Sequence, residues 1–184
     1  MSRPDRIEGL AIVSADGMIA DARGVQPDAL KLEADQQFFF ATVNRADALA
    51  HGRHSAEADP TPGRRRRIIL TRRVAGISRD PASDRTVLWN PAGASFEQAW
   101  EALDLSGGLV VVLGGTEPFG LFLPRYDAFH LTHAPNVRLP GGRPVFPGVP
   151  ARSPQELLAS HGLHPAATRA LNASAGLVLT TWQR

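Results

Sequence analysis

The sequence contains no cysteine and only one lysine, Lys31. Without cysteine the chain can form neither a disulfide framework nor a cysteine-based zinc site, and this composition fits a reducing compartment. No apolar run approaches the length of a transmembrane helix, and the opening residues MSRPDRIEGL lack the apolar core of a signal peptide. We therefore expect a cytoplasmic protein without a membrane segment.

The shortage of lysine also explains a high isoelectric point. The formal net charge is only +2, yet the isoelectric point is about 9.9, because arginine stays charged to very high pH. Charge distribution is better evidence for nucleic-acid binding than the isoelectric point. One basic cluster stands out, at residues 64–67 and 72–73. We interpret residues 64–67 as the solvated entrance to a strand, since no aromatic residues are interleaved for base stacking.

The length of 184 residues and the hydrophobic share of 43% predict one domain, residues 1–184, with a full core. Strands and helices alternate, which predicts an α/β fold. Strands are predicted over 7–13, 18–20, 47–50, 68–70, 86–89, 109–113, 126–133, 164–170 and 176–182. Helices are predicted over 30–44, from 95 to 100, after 118 and from 153, with an exposed turn at 59–63.

The stretch LVVVLGGTEPFGLF, residues 109–122, has the clearest pattern in the chain. Its apolar run without alternation predicts a strand buried on both faces. Gly114 and Gly115 end the strand and let the backbone approach a ligand, because no Cβ intervenes. A helix beginning just after them directs free N–H groups to the same spot, which favours phosphate. The pattern predicts a nucleotide site, although a turn that needs glycine for packing alone is the alternative.

Two further strands end in residues suited to a ligand. The carboxyl ends of neighbouring strands in an open α/β sheet form one crevice. Arg53 or Arg72 there could pair with a phosphate monoester, because the guanidinium fork matches phosphate oxygens, and such an arginine favours NADP over NAD. For Arg53 alone, a surface salt bridge is the alternative. The two sets are Gly52, Arg53, His54 and Ser55, and Leu70, Thr71 and Arg72.

The predicted helix at 30–44 carries three successive phenylalanines, residues 38–40. They cannot all face one core, so at least one should point to a pocket or an edge. Asp35 lies about one turn before Phe38 and Phe39, which can put a carboxylate beside apolar surface. The alternative for Asp35 is an ordinary solvated helix residue.

In this order the motifs resemble the dihydrofolate reductase superfamily, which includes the reductase domain of riboflavin biosynthesis. The resemblance covers residues 7 to about 147 and the final strand at 177–182. It implies a central, mostly parallel sheet flanked by helices, with an antiparallel C-terminal hairpin strand. The stretches that carry it are AIVSADGMIA, EADQQFFF, HGRHSAE, PGRRRRIILTR and VVVLGGTEPFGLFLPRYDAFHLTH.

The resemblance implies a binding site for NADPH, formed at three strand ends and one loop. Pyrophosphate would be cradled by Gly114, Gly115 and Thr116. The cofactor phosphates would also be contacted from the turn formed by Gly52, Arg53, His54 and Ser55. The adenosine end with its 2′-phosphate would be held by Leu70, Thr71 and Arg72. Ile19 would face the nicotinamide from the loop.

The resemblance also implies a substrate pocket without a metal. Asp35 matches the family's single pocket carboxylate, Thr132 the hydroxyl bonded to it, and Phe38 or Phe39 an apolar wall. Hydride would move to a C=N bond of a pterin-like or pyrimidine-like substrate, while Asp35 anchors an amino-pyrimidine edge and promotes protonation. The implied partners are a small heterocyclic substrate, neither nucleic acid nor membrane, and a second copy of the chain, as in many riboflavin-type relatives.

Two departures from the family pattern leave alternatives open. The stretch Gln26-Pro27-Asp28-Ala29 stands where a true dihydrofolate reductase has Pro-Trp, and Thr116 replaces the usual third glycine. One alternative is a 5-amino-6-(5-phosphoribosylamino)uracil reductase of the riboflavin pathway, although that enzyme is often fused to a zinc deaminase that has no counterpart here. The others are a non-catalytic NADP-binding relative and, ranked last, a nucleic-acid-binding protein.

Overall fold

The computed structural model describes residues 2–58 and 64–184 of the chain. The described residues form eleven strands, four α-helices and two short 3₁₀ helices, Asp28–Leu30 and Arg53–Ala58. The strands are β1 (Arg6–Ser14), β2 (Met18–Ala20), β3 (Ala48–Gly52), β4 (Arg66–Leu70), β5 (Ile77–Asp80), β6 (Ser83–Trp89), β7 (Leu109–Gly114), β8 (Ala128–Ala134), β9 (Arg143–Pro144), β10 (His164–Asn172) and β11 (Leu177–Gln183). The helices are α1 (Glu33–Arg45), α2 (Phe96–Glu101), α3 (Thr116–Phe122) and α4 (Pro154–Ser160).

Nine strands form one sheet in the order β10-β11-β8-β1-β7-β3-β4-β6-β5. The strands from β8 to β6 run parallel to one another, which requires crossover connections rather than tight turns between them. Antiparallel strands flank them, β5 on one side and the β11–β10 hairpin on the other. The predicted α/β class, the mostly parallel sheet and the C-terminal hairpin are confirmed.

Helices cover both faces of the sheet. Val111 of β7 packs with Val43 of α1, whereas Val110 and Val112 belong to the larger cluster that contains the apolar side chains of α2, α3 and α4. This alternation confirms that the apolar run at 109–113 is a strand buried on both faces. The parallel strands all end on the same side of the sheet, which we call the carboxyl edge. The predicted site residues lie at this carboxyl edge.

Helix α1 and strand β5 differ from the sequence prediction. Helix α1 begins at Glu33 rather than at residue 30, because Leu30 ends a 3₁₀ turn and Leu32 is an extended residue before the helix. Leu30 has helical spacing with later apolar residues, but it is buried in a separate cluster with Ile12 and Ala134. Strand β5 was not predicted, since Ile77 is its one apolar residue and it pairs only with β6 at the edge.

The interpretation of residues 64–67 as a solvated strand entrance is wrong for two of them. The exposed fractions of Arg65 and Arg67 are only 8% and 6%. Arg65 donates to Asn44 Oδ1 over 2.7 Å, and Arg67 donates to His51 Nε2 over 3.0 Å. Strand alternation turns both side chains toward the face that α1 covers. The predicted turn at 59–63 lies outside the described residues. Among the residues that the structure describes, no helix has the length and apolar character needed to span a membrane.

Candidate active site

The two glycine turns lie against each other at the carboxyl edge of the sheet. Strand β3 is hydrogen-bonded to both β7 and β4, so the predicted strand ends are neighbours. A Cβ built on Gly52 would lie 3.8 Å from Gly114 O and from Gly115 N. The backbones of the two turns therefore approach each other closely at this edge, where the sequence predicts a ligand crevice.

Gly114 and Gly115 serve different purposes. Gly114 has φ of +96°, and a Cβ there would lie 2.6 Å from Phe119 Cε2, so conformation and packing both demand glycine. The peptide bond between the two residues is cis. At Gly115 a Cβ would meet no atom within 4 Å. Packing explains the first glycine, whereas the second borders open space at the edge of the crevice.

Thr116 connects the glycine turn to the loop that carries Ile19. Its hydroxyl donates to the carbonyl oxygen of Pro144, and Pro144 in β9 pairs with Met18 in β2. Ile19 lies in the same strand, half-buried against the larger core cluster. The Thr116 hydroxyl is thus already engaged, and its backbone N–H at the start of α3 is the group left for an anion. Helix α3 has only seven residues, so its dipole contributes little.

The two predicted phosphate-binding arginines are exposed at adjacent strand ends. Arg53 opens the 3₁₀ helix after β3, and its Nη2 lies 3.0 Å from His54 Nε2, while Ser55 is half-buried. Arg72 follows β4 and donates to Glu117 Oε1 over 2.7 Å. Since Glu117 is in the first turn of α3, the Arg72 guanidinium lies beside the segment that follows the glycine pair.

The two residues before Arg72 have well-defined backbone contacts. Leu70 is the last residue of β4 and is half-buried. Thr71 donates its backbone N–H to Trp89 O over 2.9 Å, and its hydroxyl accepts from the Arg73 N–H over 3.2 Å. These bonds hold the turn that carries Arg72 at the carboxyl edge.

Asp35 of helix α1 faces Thr132, which is buried in β8. The Thr132 hydroxyl is the one hydrogen-bonding group that acts on the pKa of the Asp35 carboxyl. Burial raises the pKa of Asp35 above its ordinary value, and the hydrogen bond from Thr132 offsets only part of that effect. A half-buried carboxyl of this kind can hold and deliver a proton nearer to neutral pH than a solvated aspartate can.

The three phenylalanines of α1 point in different directions. Phe38 packs edge-on against His130, with ring centroids 5.2 Å apart, and the Arg169 guanidinium lies 5.7 Å from the Phe38 centroid. Phe39 is half-buried among the apolar side chains beneath α1, and Phe40 is 38% exposed. Phe38 and Phe39 both pack against the apolar cluster beneath α1, so the predicted apolar wall stays a prediction for either residue.

A second carboxylate under α1 was missed by the sequence analysis. Glu8 in β1 is buried, and it accepts hydrogen bonds from Arg6, Arg45 and His130. The far nitrogen of His130 lies 3.0 Å from the Thr181 hydroxyl. An acidic residue inside the apolar run IEGLAIV was the available indication of a buried polar group.

The fold of this chain is similar to three solved structures. A protein of Shewanella sp. PV-4 described as a riboflavin biosynthesis protein matches 97% of this chain and 98% of its own, with a TM-score of 0.67 and 21% identity. Enterococcus faecalis dihydrofolate reductase, in complex with NADP(H) and RAB-propyl, matches 97% and 96%, with a TM-score of 0.62 and 18% identity. A Thermotoga maritima diaminohydroxyphosphoribosylaminopyrimidine deaminase/5-amino-6-(5-phosphoribosylamino)uracil reductase matches 98% of this chain, with a TM-score of 0.64 and 17% identity.

These similarities show that the chain has the dihydrofolate reductase-like fold. The chain spans 56% of the length of the Thermotoga protein and nearly all of the other two. No protein-family model and no curated protein sequence matches it. The predicted resemblance is thus confirmed at the level of the fold, while the roles of the individual site residues stay predictions.

Proposed function

We propose that the protein is an NADPH-dependent reductase that transfers hydride to a C=N bond of a pterin-like or pyrimidine-like heterocycle. The observation that carries the proposal is the Asp35–Thr132 pair, a carboxyl with a raised pKa beside the carboxyl edge of a dihydrofolate reductase-like sheet. The two glycine turns at the same edge supply the second half of the site. One similar structure is a dihydrofolate reductase in complex with NADP(H), which supports the choice of cofactor.

The residues at the carboxyl edge fit a dinucleotide phosphate. Open space at Gly115 leaves room for a ligand against bare backbone. Arg53 and Arg72 present exposed guanidinium groups on neighbouring strands, suited to the pyrophosphate and to a 2′-phosphate. Ile19 would bound the nicotinamide. When bound, NADPH supplies the hydride.

The protein itself would supply the proton that the reaction needs. Reduction of a C=N bond adds hydride to carbon and requires a proton on nitrogen. Asp35, with its pKa raised by burial, is suited to hold that proton and to bind an amino-pyrimidine edge through both carboxyl oxygens. Thr132 would orient the carboxyl, and Phe38 or Phe39 would shield it from water. After transfer, the Asp35 carboxylate regains a proton from solvent.

The direct test is a titration of the purified protein with NADPH and separately with NADH, followed by the change in nucleotide fluorescence. The proposal expects tight NADPH binding and much weaker NADH binding. Oxidation of NADPH at 340 nm is then measured with a panel of dihydropterins and aminopyrimidines. If neither nucleotide binds, the glycine turns are structural and the proposal fails. If NADPH binds and no panel member is reduced, the non-catalytic NADP-binding alternative is favoured.

A second candidate is a 5-amino-6-(5-phosphoribosylamino)uracil reductase. It is favoured by the names of two of the similar structures and by the stretch Gln26-Pro27-Asp28-Ala29, which departs from the Pro-Trp of dihydrofolate reductases. Parallel assays with that uracil compound and with dihydrofolate distinguish the two, since only one should give steady turnover.

A cytoplasmic location and a homodimer belong to the same proposal, and light scattering of the purified protein tests the dimer.

A further inference from the structure

Arg72 is bonded to a carboxylate in the same crevice where a phosphate is proposed to bind. Its Nη2 donates to Glu117 Oε1 over 2.7 Å, and the two side chains are 82% and 76% exposed. The pair joins the end of β4 to the first turn of α3, across 45 positions of sequence. An exposed ion pair of this kind adds little to folding stability.

We propose that Glu117 sets the preference of this chain between NADPH and NADH by competing with the 2′-phosphate for Arg72. The inference rests on the proposed function. A carboxylate and a phosphate monoester are alternative acceptors for the same guanidinium fork. To use Arg72 fully, the 2′-phosphate of NADPH must displace Glu117 and must then tolerate a negative charge nearby. NADH carries no 2′-phosphate and avoids both costs.

Glu117 therefore lowers the affinity for NADPH and is not itself a cofactor ligand. Arg53, by contrast, contacts the His54 side chain at 3.0 Å and forms no ion pair with any carboxylate among the described side chains. The two arginines that look equivalent in the sequence thus differ in how freely they can bind an anion. Arg72 is the one whose binding strength depends on a neighbouring residue.

The test measures NADPH and NADH dissociation constants for the wild type, Glu117→Gln, Arg72→Ala and the double variant. Glu117→Gln should bind NADPH about three- to fivefold more tightly, since exposed pairs of charges are worth up to about a factor of five. Its affinity for NADH should stay unchanged. Arg72→Ala should weaken NADPH alone, and most of the gain from Glu117→Gln should disappear in the double variant. Raising the salt concentration should shrink the gain, because exposed charges are screened.

Asp104→Asn is a matched control. Asp104 pairs with Arg79 over 2.8 Å, is 71% exposed and lies beside the start of β6, away from the crevice. This variant changes the net charge equally and should leave both affinities unchanged. Equal gains for NADPH and NADH in Glu117→Gln, or a full gain retained without Arg72, would overturn the inference while the proposed function stands. If the wild type binds neither nucleotide, the proposed function fails and this inference fails with it.

Discussion

Asp35 and Glu8 are two carboxylates under the same helix, yet their environments move their pKa values in opposite directions. Burial raises the pKa of Asp35. Burial alone would also raise that of Glu8, but hydrogen bonds from His130 and Arg6 and the nearby charges outweigh it and lower the pKa of Glu8 from 4.5 to about 2. A carboxyl group with a raised pKa can carry a proton, whereas one with a lowered pKa is a fixed anion.

The difference comes from the number and charge of the hydrogen-bond donors. Asp35 has one neutral donor, the Thr132 hydroxyl, while Glu8 has two guanidinium groups and an imidazole. Helix α1 joins the two sites, since its first turn carries Asp35 and its last turn carries Arg45, which reaches Glu8. One helix therefore has a site suited to chemistry at one end and an anchoring ionic cluster at the other.

The largest expected effect is the loss of turnover in Asp35→Asn. An amide cannot supply the proton, so kcat should fall about a hundredfold or more, with NADPH affinity unchanged. Because a desolvated carboxyl is replaced by a neutral group, the free energy of unfolding at pH 7 should not decrease. Steady-state kinetics, nucleotide titration and urea unfolding check the three parts. Unchanged turnover would remove Asp35 from the mechanism.

The next largest effect is acid destabilisation through Glu8. Its folded-state pKa is below its ordinary value, so its contribution is fully present above about pH 5 and is lost as the pH falls toward 2. The loss should amount to about 3 kcal/mol at most. Asp35 contributes with the opposite sign, because a raised folded-state pKa favours the folded state at low pH. Other carboxyl groups with lowered pKa values also destabilise the fold in acid, so urea unfolding of the wild type, Glu8→Gln and Asp35→Asn is compared between pH 2.5 and 7. A Glu8→Gln variant whose stability falls with pH as steeply as that of the wild type would contradict this assignment.

A smaller effect is expected when Glu8 is changed directly. Glu8→Gln leaves Arg6, Arg45 and His130 without their shared anion, and we expect a loss of about 2 kcal/mol at pH 7. This loss of stability is smaller than that expected for a fully enclosed ion pair, because both arginines are partly exposed. Urea unfolding at pH 7 measures it, and the kcat of the folded variant should match the wild type. Asp104→Asn, at the exposed pair with Arg79, serves as the control and should change stability by less than about 0.5 kcal/mol.

Much of the fold could be predicted from the sequence because its determinants are local. The apolar run before Gly114 and the Ser95 cap of α2 are readable within a few residues, and the capping box formed by Ser95 and Gln98 is present in the structure. The order of such motifs was enough to predict the sheet and its C-terminal hairpin. The edge strand β5 has no comparable local pattern, since backbone pairing with β6 alone defines it.

The electrostatics of the site could not be predicted in the same way. The partners of Glu8 lie at positions 6, 45 and 130, and no local pattern indicates that three elements bring them together. The burial of Arg65 and Arg67 depends likewise on which face of β4 the helix covers. Even the contact between Asp35 and Thr132 followed from a family resemblance rather than from spacing. Contacts between segments that are distant in sequence decide which charged group is held in an ionic cluster and which is available for catalysis.

The smallest effect expected here, and the sharpest comparison, comes from Thr132→Val. Valine keeps the shape of the buried side chain but removes the hydroxyl that lowers the pKa of Asp35, so that pKa should rise further. Turnover that needs a protonated Asp35 should then persist to higher pH, and kcat/KM at pH 7 should change about fivefold or less. Thr132→Ser keeps the hydroxyl and should retain the wild-type pH–rate midpoint, as should Glu8→Gln, whose cluster does not touch Asp35. A midpoint that moves in Glu8→Gln but not in Thr132→Val would mean that the ionic cluster, rather than the hydroxyl, controls the proton held by Asp35.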